Sequence, residues 1–297
     1  MRVRAHAKIN LTLHVGDRQP DGYHELRTIF QSLALHDTLD CHEARGPLVI
    51  ECEDPGVPVD AGNLVWRAAV LVWEATGRPG APTGVRVTLH KRIPAQGGLG
   101  GGSADAAAAI VAFGRLWGGD ASPAARHALA RRLGADVPFF LTGGTAAGAG
   151  RGDELTPLPD LPTHHVVLAF PPFGVSTARA YGWLDEDREP GRAATLPYDA
   201  GDRPHGVLHL ADGTPIAVAN DLERPVVARH PEIGRIRDAL LAAGADAAAM
   251  SGSGSTVFGL FRDAAPARAA VAALCAAGWR TEATTTAGRE QALRFLV

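Results

Sequence analysis

Residues 94–119, PAQGGLGGGSADAAAAIVAFGRLWGG, hold the reading that decides the fold. Glycines at 97, 98, 100, 101 and 102 let the backbone turn its N–H groups inward as a nest. The Ala-rich helix that opens near Ser103 adds the positive end of its dipole, so the natural ligand is a phosphate. The spacing fits neither G-x-x-x-x-G-K-[ST], because no Lys follows the last glycine, nor G-x-G-x-x-G. A flexible connector is the plain alternative, against which Ser103 and the strong helix behind it argue for a fixed turn. In front of the loop, Val85, Val87 and Leu89 alternate as a strand running into His90-Lys91-Arg92. The unit is strand, phosphate loop, helix.

Outward toward the N terminus, Val3, Ala5, Ala7, Ile9, Leu11, Leu13 and Val15 take odd positions and polar residues the even ones, which predicts a half-buried strand. Its period puts Lys8 and Asn10 on one polar face, about 7 Å apart along the strand. After the turn GDRQPDG, YHELRTIFQSLAL is strand-like again, and short strands are expected through Leu39 to Cys52. Asn63 reads as the N-cap of LVWRAAVLVWEATG, a helix closed at Gly77. Ala124 to Leu133 is a further helix stopped by Gly134. Asp136 follows in GADVPFF, where it reads either as an N-cap or as a carboxylate placed among apolar neighbours to act as a base. Tyr23-His24 pairs an aromatic with a donor/acceptor ring, which suits reading a base; a structural His is the alternative.

The first domain is expected to close near residue 155, with the proline-rich LTPLPDLPTHH as linker. Beyond it the order is strand 165–170, helices around 176–184 and 231–243, strands 246–250 and 256–261, helix 264–277 and strand 279–285. That is β-α-β-β-α-β, the split pattern of a ferredoxin-like sandwich. Residues 185–215 show no sustained period and are expected to form a long loop. A second Gly/Ser loop, MSGSGSTVFGLF at 250–261, reads as a hairpin turn or as a close approach to a ligand. Two such loops, one per domain, could enclose a ligand from both sides.

Composition agrees with two folded domains. The chain has 297 residues, 46% hydrophobic and 21% charged, too long for one core and too apolar for disorder. A net charge of -3 offers no positive field for nucleic acid or an anionic membrane. Among 29 Lys plus Arg only Lys8 and Lys91 are lysines, so each suggests a site wanting a compact ammonium. Cys41, Cys52 and Cys275 form no C-x-x-C and indicate neither a disulfide framework nor zinc. No apolar run approaches a membrane span and no signal-peptide pattern opens the chain, so the cytoplasm is the expected address.

The set AKINLTLHV, DGYHEL, PAQGGLGGGSADAAAA, GADVPFFL, NDLE (220–223) and SGSGSTVF, in this order, resembles the GHMP kinase superfamily. The pairing of AKINL with DGYHEL is similar to the branch whose acceptor is a cytidine-diphosphate-linked methylerythritol. The resemblance runs over essentially the whole chain. It implies an α+β two-domain fold, an N-terminal GHMP α/β domain over 1–155 and a C-terminal ferredoxin-like domain over 164–297, with the site between them. It implies an ATP-dependent kinase that phosphorylates the 2-hydroxyl of that alcohol in the non-mevalonate route to isoprenoids. ATP and Mg²⁺ are implied, and the chain would be a monomer or homodimer. By the same resemblance Pro94, Gly97, Gly98, Leu99, Gly100, Gly101, Gly102 and Ser103 would hold the ATP phosphates, with Ser103 near Mg²⁺, and Asn63 and Lys91 would border the adenine. Lys8 and Asp136 would be the catalytic pair. Asn10 would hold the acceptor, Tyr23 and His24 its cytosine, and Tyr181 or Trp183 would cap that ring. Ala104 departs from the superfamily's frequent second Ser, which leaves Ser103 as the only hydroxyl there. A GHMP kinase for another small alcohol, such as mevalonate or homoserine, and a non-catalytic nucleotide-binding module are the competing readings; a pair such as Tyr23-His24 has no purpose with a base-free acceptor.

Overall fold

The computed structural model describes residues 1–119, 121–188 and 204–295. Strands β1 (Arg2–Arg18) and β2 (His24–Pro47) form a long antiparallel hairpin. They are followed by β3 (Val49–Cys52), α1 (Leu64–Ala75), β4 (Thr83–His90), α2 (Gly101–Leu116), α3 (Pro123–Leu133), α4 (Val137–Thr142), β5 (Thr145–Ala149) and β6 (Glu154–Pro157). The second half runs β7 (His165–Phe170), α5 (Thr177–Asp187), β8 (Val207–His209), β9 (Pro215–Ala217), β10 (Ala219–Asn220), α6 (Glu223–Arg229), α7 (Pro231–Ala242), β11 (Ala247–Met250), β12 (Val257–Phe261), α8 (Ala264–Ala276), β13 (Arg280–Thr285) and α9 (Arg289–Ala292).

One sheet has the order β10-β1-β2-β4-β3, with β5 on β2 and β6 on β5. Helix α2 packs against it, and residues 104–114 of that helix are all buried. Alanine makes this possible, since its small side chains let strands and helices approach the axis on every side while keeping helix propensity high. The other sheet has the order β11-β12-β7-β13, antiparallel throughout, the strand order of the ferredoxin-like sandwich. Short β10, from the second half of the chain, lies parallel on β1. No helix among the described residues is long and apolar enough to cross a membrane.

Strand β1 departs from the half-buried reading. His6, Lys8, Asn10 and Thr12 are buried along with the odd positions, because both faces are covered by protein. Its register on β2 also shifts between His6 and Lys8. Val3 and Ala5 join the core beneath α1 and α2, whereas Ala7, Ile9 and Leu11 join the core against β7 and β12. A bulge re-aims the side chains that follow it. Here it carries the odd positions over to the second sheet and gives Lys8 and Asn10 to the phosphate-loop side.

Other expectations shift in extent. The short strands expected before Cys52 are one 24-residue strand, β2, plus β3. Three of the eleven residues of the expected linker, 155–157, lie in strand β6, and Leu161 of the linker is core. Of the loop expected at 185–215, Asp185–Asp187 ends α5 and a β8–β9 hairpin occupies its far part, while 189–203 lie outside the described residues. The three cysteines are free, and burial pushes the Cys41 thiol up to about 12.

Candidate active site

A cavity of about 650 Å³ is bordered by the 94–103 loop, Lys8 and Asn10 of β1, Asn63 and Leu64, Asp136, Arg151, the start of α5 and the 252–254 turn. That volume suits a small-molecule site.

The loop holds its shape because side chains are absent. Gly98 and Gly100 both have φ of +73°. A Cβ on Gly98 would stand 2.0 Å from the Ser251 carbonyl oxygen, and one on Gly100 would stand 2.6 Å from the Phe140 ring. The Lys8 amide donates to the Leu99 carbonyl at 3.0 Å, which fastens the loop to β1. Helix α2 opens at Gly101, two residues before the expected start, and no side chain caps it. The free N–H groups of its first turn, Gly101, Gly102 and Ser103, thus stand at the cavity with the positive end of the dipole. Ala104 is fully buried, so Ser103 is the residue of the pair that meets the cavity.

Below the loop, Asp37 accepts from the Arg92 and Ile93 amides at 2.5 and 2.8 Å and is ion-paired with Lys91. Lys91 Nζ also meets Asp105 of α2 at 2.5 Å. Burial opposes the charge on Lys91, yet Asp105 and Asp37 outweigh it and raise its pKa. Burial, ahead of the attraction of Lys91, pushes Asp105 up to about 7. The ammonium expected beside the adenine therefore ties the two ends of the phosphate loop together. Asn63 is committed in the same way: it accepts from Val65 N at 2.8 Å as the α1 cap and donates to Pro58 O at 2.6 Å. Both residues border the cavity with their polar groups already engaged.

Lys8 Nζ donates to Asn10 Oδ1 at 2.7 Å and lies 3.6 Å from Asp136 Oδ2. Asn10 donates on to Thr28 Oγ1, which donates to Thr12 O, so the amide is held in one orientation. Asp136 occupies the cap position of α4, but its side chain makes no cap hydrogen bond. The carboxylate is 40% exposed and faces the ammonium, while Lys8 itself is buried. The two Gly/Ser loops both border the cavity and also touch: Ser251 Oγ donates to Gly98 O at 3.0 Å.

Tyr181 lines the cavity, and burial, with the negative charge of Asp136 second, pushes its phenol up. His24 lies behind it, ring centroids 5.2 Å apart, and is bonded through Nε2 to Asp185 at 2.8 Å. Tyr23 is exposed under the Arg151 guanidinium, 4.0 Å from the ring centroid. Trp183 sits away from this group between Arg179 and Arg229. Sequence analysis gave no role to Arg151, Ser176 and Thr177, which the fold brings to the cavity, or to Asp185, which holds His24 behind Tyr181; their separation along the chain hides their grouping.

Comparison with known proteins follows the same lines. Residues 63–144 match the family model of the GHMP kinases N terminal domain, and 212–278 that of the GHMP kinases C terminal domain. A 4-diphosphocytidyl-2-C-methyl-D-erythritol kinase of Nocardia farcinica is 43% identical over 293 residues, covering 96% of this chain and 93% of that protein. One of Moorella thermoacetica is 44% identical over 269 residues, covering 89% and 91%. A crystal structure of 4-(cytidine 5'-diphospho)-2C-methyl-D-erythritol kinase superposes with a TM-score of 0.79 at 40% identity, covering 97% of this chain and 100% of that one. Mevalonate kinase of Methanococcus jannaschii, at 12% identity and a TM-score of 0.66 over 97% and 98% of the two chains, shares the fold.

Proposed function

The chain belongs to the GHMP kinases, and within them to the 4-diphosphocytidyl-2-C-methyl-D-erythritol kinases, and from that premise we infer that its reaction runs at the pair Lys8 and Asp136. It is an ATP-dependent kinase that phosphorylates 4-diphosphocytidyl-2-C-methyl-D-erythritol at the 2-hydroxyl, a step of the methylerythritol phosphate route to isoprenoids. The observation that carries the assignment of the pair is the 3.6 Å approach of Lys8 Nζ to a carboxylate free of capping duty, in the cavity that holds the uncapped end of α2.

Phosphoryl transfer has a loose transition state, so the protein contributes position and charge. The amides of Gly101, Gly102 and Ser103, with the nest of Gly97 to Gly100, take the phosphate oxygens. The acceptor hydroxyl loses its proton to Asp136 as its oxygen bonds to the γ-phosphorus and the bond to the ADP oxygen breaks. Lys8 stabilises the carboxylate and the ionising acceptor oxygen, and Asn10 holds Lys8 in place. The Ser103 hydroxyl is a hard oxygen donor at the cavity, which suits a Mg²⁺ whose other ligands are nucleotide phosphates. Ser103 would hold that ion, which when bound neutralises phosphate charge. Tyr181, backed by His24 and Asp185, is the ring we assign to the cytosine, with Tyr23 and Arg151 at the outer end of the same group.

The test is Asp136→Asn and Lys8→Ala in steady-state and nucleotide-binding assays. Turnover should fall at least about 10²-fold in each with ATP affinity nearly unchanged. A large loss of ATP binding at unchanged turnover would overturn the assignment.

A further inference from the structure

The segment NDLE at 220–223 lies outside the cavity lining, yet Asn220, Asp221 and Glu223 are tied to the strand and the loop that border it. Asn220 sits on β10, paired across from Leu13 of the strand that carries Lys8 and Asn10. It is buried, and its Nδ2 donates to the two carbonyls on either side of Ser251 at the start of the second Gly/Ser loop, Met250 O at 2.8 Å and Gly252 O at 2.7 Å. Its Oδ1 accepts from Leu222 N at 2.9 Å, so both ends of the amide are fixed. Asp221 accepts from Val15 N at 2.8 Å on β1, and Glu223 accepts from Met250 N at 2.7 Å and from Arg237 at 2.6 Å. The loop held this way reaches both halves of the chemistry. Ser251 Oγ is bonded to Gly98 O, and a Cβ on Gly252 would stand 3.3 Å from Asn10 Oδ1 and 3.4 Å from Lys8 Nζ.

We propose that Asn220 is a positioning residue for phosphoryl transfer: by holding the Met250 and Gly252 carbonyls it sets the backbone of 250–252 against Lys8 on one side and the phosphate loop on the other. The inference rests on the catalytic role given to Lys8 above. Moving that backbone shifts the ammonium relative to the phosphate loop, and small misplacements of this kind cost rate more than binding.

Asn220→Asp replaces the two amide donors with a carboxylate facing two carbonyls. Its kcat should fall about 10- to 100-fold while KM for ATP stays within about threefold. Asn220→Ser, smaller and neutral, applies the same criterion if the Asp variant does not fold. Ile236→Val, on the buried face of α7, is the control for lost stability alone; it should lower the thermal midpoint and leave kcat within about twofold. A folded Asn220 variant with kcat within twofold of the parent overturns the proposal, as does a kcat loss that Ile236→Val reproduces at equal destabilisation. If Lys8→Ala keeps its turnover, the catalytic reading itself fails; if Lys8→Ala is inactive and the Asn220 variants are not, only the positioning role fails.

Discussion

Lys8 and Lys91 are the two lysines of a chain otherwise furnished with arginine, and the ammonium of each is held by close polar or charged partners. Around Lys8 the ammonium is bounded by Asn10, Asp136 and the backbone of Gly252. A planar fork needs more width than a point charge. Lys8→Arg should therefore behave as a loss of function, with kcat down about 10²-fold; an Arg enzyme of near-parental rate would contradict the slot. His6, two residues earlier, contributes a different effect. Burial outweighs its bond to Leu33 O and holds its pKa at about 4, and its Nε2 has no partner among the described residues. The unfolded chain takes up that proton near pH 6.5 and the folded one does not, so the stabilisation is complete above that pH and is lost as pH falls toward 4. The difference amounts to about 3 kcal/mol. Urea unfolding at pH 7 and pH 5 should show His6→Gln losing less stability over that interval than the parent, and equal losses would count against it.

At the scale of elements, the phosphate loop depends on its glycines and on its closed base. Gly100→Ala would force a side chain into a φ of +73° and against Phe140, so KM for ATP should rise at least about tenfold, with about 1–3 kcal/mol of stability lost. A nucleotide titration near the parental value would contradict this. Lys91→Met would leave Asp37 and Asp105 buried together with no cation between them, and chemical denaturation should show a loss of about 3–5 kcal/mol. The same elements show what sequence can carry. The loop, the Ala-rich helix and Asn63 as a cap were legible, since glycine freedom, helix propensity and capping are local properties. The irregularity in β1 was not, because apolar alternation continues unbroken in the sequence while the register on β2 shifts and the odd side chains change cores. Helix α6 and strand β10 escaped for want of length, at seven and two residues. Lys91 was legible as a special residue and not in its role, because Asp37 is 54 positions away and only the fold makes them neighbours.

Across the whole molecule, β1 runs through all three buried clusters, from Val3 under the helices through Ile9 between the sheets to Val15 beside α6 and α7. With β10 of the second half paired on β1 and the two glycine loops bonded to each other, calorimetry should show one cooperative transition, and two separable ones would contradict such a shared core. The order of motifs made the two-domain architecture legible, whereas the contact of the loops required the assembled fold. The most direct test of the central claim is phosphorylation by ATP and Mg²⁺ of 4-diphosphocytidyl-2-C-methyl-D-erythritol, run beside mevalonate and homoserine, with Lys8→Ala and Asp136→Asn in parallel. Turnover of the cytidyl substrate alone, abolished in both variants, is the expected result; turnover of a base-free alcohol, or full activity in either variant, would contradict it.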